Sequence, residues 1–374
     1  MTFIPVNTPT ISESDQQAVL DCLKSGWISS EGPQVEIFEK CFAAQFDRNY
    51  GVAVSSGTAA LDIVIRALGI GPGDEVMMPS LTIISCAQSV VATGATVVPV
   101  ECDAADWNAH LAHFQARLTS RTRAIMLVHL YGLCADLDPI LKWAAEHHLL
   151  VIEDGSQAQG LRYQGKRCGS FGDVSVFSLY ANKLITTGEG GVIVCDDVAL
   201  AERCRKLRNL CFEPAKRFWH EELGWNYRLT AMQAAIGTSQ LARFDSLVAR
   251  KRALGLTYYS AFRDIAAFSI APSSTAYSEN AYWVFGLVVT PNATFSRDDI
   301  IAALAEQGIG TRTFFYGLHQ QPALLNHGLI TPIELPITES LANQGFYLPS
   351  GLGLSDQDQQ RVIDVVITFV NKHL

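Results

Sequence analysis

Between about residue 50 and residue 155 the chain repeats one pattern: a short, almost uninterrupted apolar run followed by an amphipathic stretch. The runs are Gly51-Val52-Ala53-Val54, Glu75-Val76-Met77-Met78, Thr96-Val97-Val98-Pro99-Val100, Ala124-Ile125-Met126-Leu127-Val128 and Leu149-Leu150-Val151-Ile152. Runs rich in Val and Ile, without polar alternation, suit strands buried on both faces. Such strands belong to a mostly parallel sheet with helices on each side, and Thr58–Ala67 and Leu137–His147 read as two of those helices. The expected fold class is α/β, doubly wound.

The texture then changes. After Gly188-Glu189-Gly190-Gly191 and the strand Val192-Ile193-Val194, the pattern reads as helical to about residue 265, most clearly over Leu229–Leu241. A strand-like Tyr282–Val289 and a helix opened by Ser296 and ended before Gly308 describe a smaller α+β unit. The expected division is residues 1–245 for a large domain with an N-terminal arm and 246–374 for a small one.

Several function classes are disfavoured. Net charge is −9, and no basic run or aromatic-interleaved Lys/Arg stripe is present, so a nucleic-acid partner is not expected. No apolar stretch is long enough to span a bilayer, and the N-terminus lacks the pattern of a signal peptide. The nine cysteines are odd in number and form no C-x-x-C pair, which suits reduced, buried thiols in a cytoplasmic protein and no metal site. The glycines of Gly69-Ile70-Gly71-Pro72-Gly73-Asp74 miss the dinucleotide spacing, which disfavours a nicotinamide enzyme.

Four motifs can carry chemistry. Ser55-Ser56-Gly57-Thr58 follows a strand and opens a helix, which makes either an anion site or an ordinary capped helix. Val151-Ile152-Glu153-Asp154-Gly155-Ser156-Gln157 delivers carboxylates at a strand's C-terminal end, as a partner for a protonated ring nitrogen, a helix cap or a metal ligand. In Ser178-Leu179-Tyr180-Ala181-Asn182-Lys183-Leu184-Ile185, an apolar setting lowers a lysine's pKa toward that of a nucleophilic amine. The alternative is a surface lysine beside a hairpin. Gly224-Trp225-Asn226-Tyr227-Arg228 is an aromatic and polar cluster before a helix, or simply a packed loop.

In this order and spacing, the motifs resemble the DegT–StrS-type sugar aminotransferases, which share the aspartate-aminotransferase (type I) fold of pyridoxal-phosphate enzymes. The resemblance runs from about residue 5 to the C-terminus. It implies that Lys183 carries pyridoxal 5'-phosphate covalently and that Asp154 pairs with its ring nitrogen. By the same resemblance Gln157 lies near the phenolic oxygen, and Gly57, Thr58 and Ser178 hold the phosphate. Asn226 reaches the phosphate of a neighbouring subunit, so that a homodimer shares its active sites. Ile83 stands where the family commonly stacks an aromatic ring on the cofactor, Gln159 where it often has histidine, and Thr313 where it often has proline.

The stretches Gly26–Pro33, Arg208–Asn226 and Gly310–Arg312 resemble the members that aminate C4 of GDP-4-keto-6-deoxy-mannose with L-glutamate. They suggest Trp27, Ser29, Arg312 and Tyr316 as contacts for a nucleotide-diphosphate keto sugar, with Lys216 and Arg217 as further basic candidates. The alternatives are a UDP- or dTDP-linked acceptor, or a catalytically idle regulatory protein of the same fold.

Overall fold

The computed structural model describes residues 2–213, 215–216 and 218–373, so Arg217 lies outside the described residues. The first nine strands are β1 (Tyr50–Val54), β2 (Glu75–Pro79), β3 (Thr96–Val100), β4 (Thr122–Val128), β5 (Leu150–Asp154), β6 (Arg162–Tyr163), β7 (Lys166–Arg167), β8 (Val174–Ser178) and β9 (Gly191–Cys195). All but the β6–β7 ribbon form one sheet in the order β1-β9-β8-β5-β4-β2-β3. From β3 to β8 every pairing is parallel, whereas β9 runs antiparallel to both β8 and β1. The reason is local: residues 179–190 join β8 to β9 without a crossover helix, so the chain returns in the opposite direction.

Both faces of the sheet are covered, which explains why the strands read as continuous apolar runs. Val54, Met78, Met126 and Val176 pack toward helix Gly57–Ala67, while Ile125, Leu127 and Val151 pack toward helix Leu137–Glu146. Ala53, Phe177 and Val192 meet Phe38, Phe42 and Phe46 of the N-terminal helix Pro33–Gln45 and the residue after it. Phe177 is fully buried between Phe42 and Phe46, with ring centroids at 5.1 and 4.2 Å. Removing such a ring costs about 3–5 kcal/mol, so the core fixes where β8 ends and where Ser178 stands.

The segment between β9 and residue 265 is less helical than its sequence suggests. Helix Val198–Arg208 ends at Asn209, and the described residues from there to 229 form no helix, only isolated bridges, turns and bends, before helix Ala231–Leu241 begins. Leu210 and Cys211 both take positive φ, which an α-helix cannot accommodate.

A second sheet, β10 (Phe268–Ser269), β11 (Phe285–Val289), β12 (Arg312–Thr313) and β13 (Gly345–Leu348), is antiparallel in the order β10-β11-β13-β12. Its strand β11 starts at Phe285 rather than Tyr282, because Tyr282 has φ 52° and breaks the extended run. Helix Phe244–Phe262 packs on the Phe177 cluster through Phe244 and Leu247 and on the second core through Leu254, Tyr258 and Phe262. Ile4 belongs to that second core and bridges to Ile309. The expected division after residue 245 therefore falls within a helix shared by both cores, with Ile4 of the arm on the far side.

Candidate active site

Two strand ends and one helix start meet at the C-terminal edge of the large sheet, where open α/β folds place their ligands. Asp154 ends β5, Ser178 ends β8, and Gly57 opens the helix that follows β1. Gly191 separates Val54 from Ser178 in the sheet, and a Cβ on it would lie 2.4 Å from the Ser56 carbonyl oxygen, so only glycine permits this approach. A cavity of about 320 Å³ opens there, lined by Gly57, Thr58, Ile83, Asp154, Gln157, Ser178 and Lys183 together with Trp283, Phe315 and Tyr347. A larger groove of about 580 Å³ between helices Arg297–Glu306 and Asp356–His373 contains none of the motif residues.

Each wall of the cavity has its own chemistry. At the helix start, Ser56 Oγ accepts the Ala59 N–H at 3.0 Å. The N–H groups of the first turn before Ala59 have no helical acceptor, and they carry the positive end of the helix dipole. A Cβ at Gly57 would stand 2.9 Å from Ser178 Cβ, so the glycine leaves space beside that hydroxyl. At the opposite end Asp154 is 2 % exposed, with the Ser156 N–H donating to Oδ1 at 2.9 Å and the Cys86 thiol donating to Oδ2 at 3.4 Å. Gln157 Oε1 accepts the Tyr131 N–H at 2.8 Å, which commits its carbonyl and leaves its amide N–H groups as donors.

Behind Asp154 the sheet end is held by a buried pair. His129 Nε2 lies 2.9 Å from Glu153 Oε1, and Glu153 also accepts from the Phe171 N–H at 3.0 Å and Ser175 Oγ at 3.1 Å. Burial pulls the His129 pKa down, but the contact with Glu153 outweighs it and the net shift is upward. Gln159, where the family often has histidine, accepts the Ile185 N–H at 2.7 Å and donates to the Ser178 carbonyl at 2.9 Å. It therefore ties the end of β8 to the turn that carries Lys183.

Lys183 borders the cavity, and burial lowers its pKa from 10.5 to about 7, against the opposing negative charge of Asp154 and the influence of Cys86. A depressed pKa does not by itself identify the functional lysine. Burial takes Lys251 to about 7 as well. Geometry separates the two: Lys251 Nζ is spent on the Ser350 carbonyl, whereas Lys183 faces the cavity that holds Asp154.

The structure does not bring every expected residue to this cavity. Asn226 is exposed and accepts from Arg228 Nε at 2.8 Å. Trp27, Ser29 and Tyr316 are exposed outside the lining, as is Arg312, although Arg312 pairs across β12–β13 with Tyr347, which does line it. Lys216 lies over Trp219 at 3.6 Å, away from the cavity. Conversely, Trp283, Tyr131, Phe315 and Cys86 shape the site although no sequence motif points to them. Trp283 and Tyr131 reach it only through the backbone turns around them. All nine cysteines are free and only Cys41 is exposed. Among the described residues no helix is long and apolar enough to cross a membrane.

The fold and the cavity together define an aminotransferase: the chain belongs to the DegT/DnrJ/EryC1/StrS aminotransferase family, which it matches over residues 9–367. It is 40% identical over 361 residues to the GDP-perosamine synthase of Caulobacter vibrioides, covering 96% of each chain. It is also 40% identical over 339 residues to the dTDP-3-amino-3,4,6-trideoxy-alpha-D-glucose transaminase of Streptomyces venezuelae, covering 90% of this chain and 86% of the other. The PLP-form structure of the sugar aminotransferase Spr1654 from Streptococcus pneumoniae superposes with a TM-score of 0.91 at 25% identity, covering 100% of both chains.

Proposed function

We propose that this enzyme transfers the amino group of L-glutamate to C4 of GDP-4-keto-6-deoxy-mannose, with pyridoxal phosphate as its cofactor. The observation that carries the reading is the single cavity that joins a helix start suited to phosphate, the Asp154 carboxylate and the amine of Lys183. That donor set fits the cofactor at both ends. Gly57, Thr58 and Ser178 would hold its phosphate, and Asp154 would keep a proton on its ring nitrogen. Gln157 would donate to its phenolic oxygen, the direction already imposed on that amide by Tyr131. Ile83 offers its ring an aliphatic surface.

When bound, pyridoxal phosphate supplies an electron sink for the charge left as a C–H bond next to nitrogen breaks. Lys183 Nζ is then the base that takes the α-proton of glutamate. A pKa near neutrality leaves about half of it unprotonated at pH 7, where an ordinary lysine would be almost wholly protonated. In the second half-reaction the same atom delivers a proton to C4 of the sugar, so the two substrates react in turn at one site. Arg312, beside Tyr347 at the cavity rim, suits the diphosphate of the acceptor. Exposed Asn226 would serve the site of a second copy in a homodimer.

The acceptor follows the similarity to GDP-perosamine synthases, which extends over nearly the whole of both chains. The Streptomyces venezuelae relative, at the same identity over a shorter match, favours a second reading, a dTDP-linked keto sugar. Measuring kcat/KM with glutamate across GDP-, UDP- and dTDP-linked keto sugars decides between them. Preference for the GDP sugar supports the proposal, and preference for either other nucleotide overturns the acceptor while leaving the aminotransferase intact.

A further inference from the structure

Trp283 has no role in the chemistry described above, yet it touches the Lys183 turn twice. Its indole N–H donates to the Asn182 carbonyl at 3.1 Å, and its ring centroid lies 3.8 Å from Lys183 Nζ. One contact pins the backbone immediately before the lysine, and the other caps the amine itself. Trp283 sits just before β11, so through it the unit built on the second sheet reaches a lysine carried by the first.

The backbone around Trp283 is bent to make this possible. Tyr282 has φ 52° and Tyr131 has φ 54°, left-handed backbone conformations that residues other than glycine rarely adopt. The two strained turns interlock. The Ala281 N–H donates to the Gly132 carbonyl at 2.7 Å, and a Cβ on Gly132 would stand 2.5 Å from the Trp283 nitrogen. The Tyr131 ring stacks on Trp283 at 6.1 Å and 13° and on Phe315 at 5.5 Å and 17°. Three rings thus form one wall, and Tyr131 also holds Gln157 through its N–H and takes the Phe315 N–H on its hydroxyl at 3.0 Å. Strain of this kind persists where the surroundings over-determine it, and it gathers at functional sites.

We propose that Trp283 is a positioning residue for Lys183, which keeps the freed amine dry and aimed into the cavity during proton transfer. This rests on the reading that Lys183 is the cofactor-bearing base. An aromatic face over the amine shields it from water and limits the directions its flexible stem can take. The indole N–H fixes the height of the turn from which that stem rises.

The test uses the cofactor-loaded enzyme and the glutamate half-reaction, followed in every variant by the absorbance change as the aldehyde form of the cofactor becomes its amine form. Trp283→Leu should slow this step by at least about tenfold while the KM for glutamate changes less than about twofold, as expected for a misaimed group. Trp283→Phe, which keeps an aromatic face and the packing, should lose less. The decisive comparison is made in a Lys183→Ala background, with methylamine added to restore proton transfer. There Trp283→Leu should change the rescued rate by less than about twofold, because its effect runs through a lysine that is no longer present. An equal loss in both backgrounds overturns the proposal and assigns Trp283 to substrate or fold. Borohydride fixation of cofactor to any lysine other than Lys183 in the unsubstituted enzyme instead overturns the functional reading on which it rests.

Discussion

Lys183 should titrate unlike a surface lysine. Burial lowers its pKa from 10.5 to about 7 even though Asp154 pulls the other way. With that value the neutral fraction rises from about one-tenth at pH 6 to about nine-tenths at pH 8, roughly tenfold, and then levels off. An ordinary lysine gains about a hundredfold over the same interval and keeps rising toward pH 10. Competitive labelling of cofactor-free enzyme with trace acetic anhydride, quantified peptide by peptide, reads this directly. The Lys183 peptide should show the tenfold rise and the plateau, and solvent-exposed lysines should show neither. Asp154→Asn removes the charge that favours the ammonium form, so the inflection should move further down. Lys251, at the same depressed value but tied to the Ser350 carbonyl, should label slowly at every pH. A hundredfold rise at Lys183 without a plateau, or an upward move in Asp154→Asn, would refute the account of how the site generates its base.

Three further outcomes are expected. The folded pKa of Lys251 lies below its unfolded value, so the unfolded chain binds more protons between about pH 7 and pH 10.5, stability rises with pH across that window, and the full penalty stands below it. Lys251→Met should therefore add about 2 kcal/mol near pH 7 after the stranded Ser350 carbonyl is discounted, and flatten that slope in denaturant titrations; lower stability at pH 7 would contradict this. Gly57→Ala places a methyl group 2.9 Å from Ser178 Cβ. It should weaken cofactor binding by about tenfold or more, beyond any fall in the melting temperature of the cofactor-free protein, and unchanged affinity would remove the helix start from the phosphate site. Arg312→Ala should raise the KM for the sugar nucleotide far more than that for glutamate, whereas the reverse would assign Arg312 to the amino donor.

The parts of the site that could be read in the sequence are those held by regular structure. Asp154 and Ser178 end apolar strands, and Gly57 follows one, so each was visible as polar chemistry at the edge of an apolar run. The setting of Lys183 was equally compatible with a surface lysine beside a hairpin, and only the order of the motifs and the family resemblance pointed to it. The aromatic wall was hidden, because it depends on positive φ at Tyr131 and Tyr282, and nothing in a tyrosine announces a left-handed turn. Tyr282-Trp283 read as the start of a strand for the same reason. Cys86 looked like one more buried thiol, and only folding brings it within 3.4 Å of Asp154. The antiparallel direction of β9 was equally hidden, since it follows from the missing crossover helix rather than from the composition of the strand.

The central claim is that Lys183, facing Asp154 across one cavity, is where the cofactor attaches and where protons move. Borohydride reduction of the pyridoxal-phosphate-loaded enzyme, followed by proteolysis and mass mapping, tests it most directly. The reduced cofactor should appear on the peptide containing Tyr180-Ala181-Asn182-Lys183 and be absent after incubation with glutamate. A label on Lys251 or any other lysine, or one that glutamate does not displace, would contradict the account.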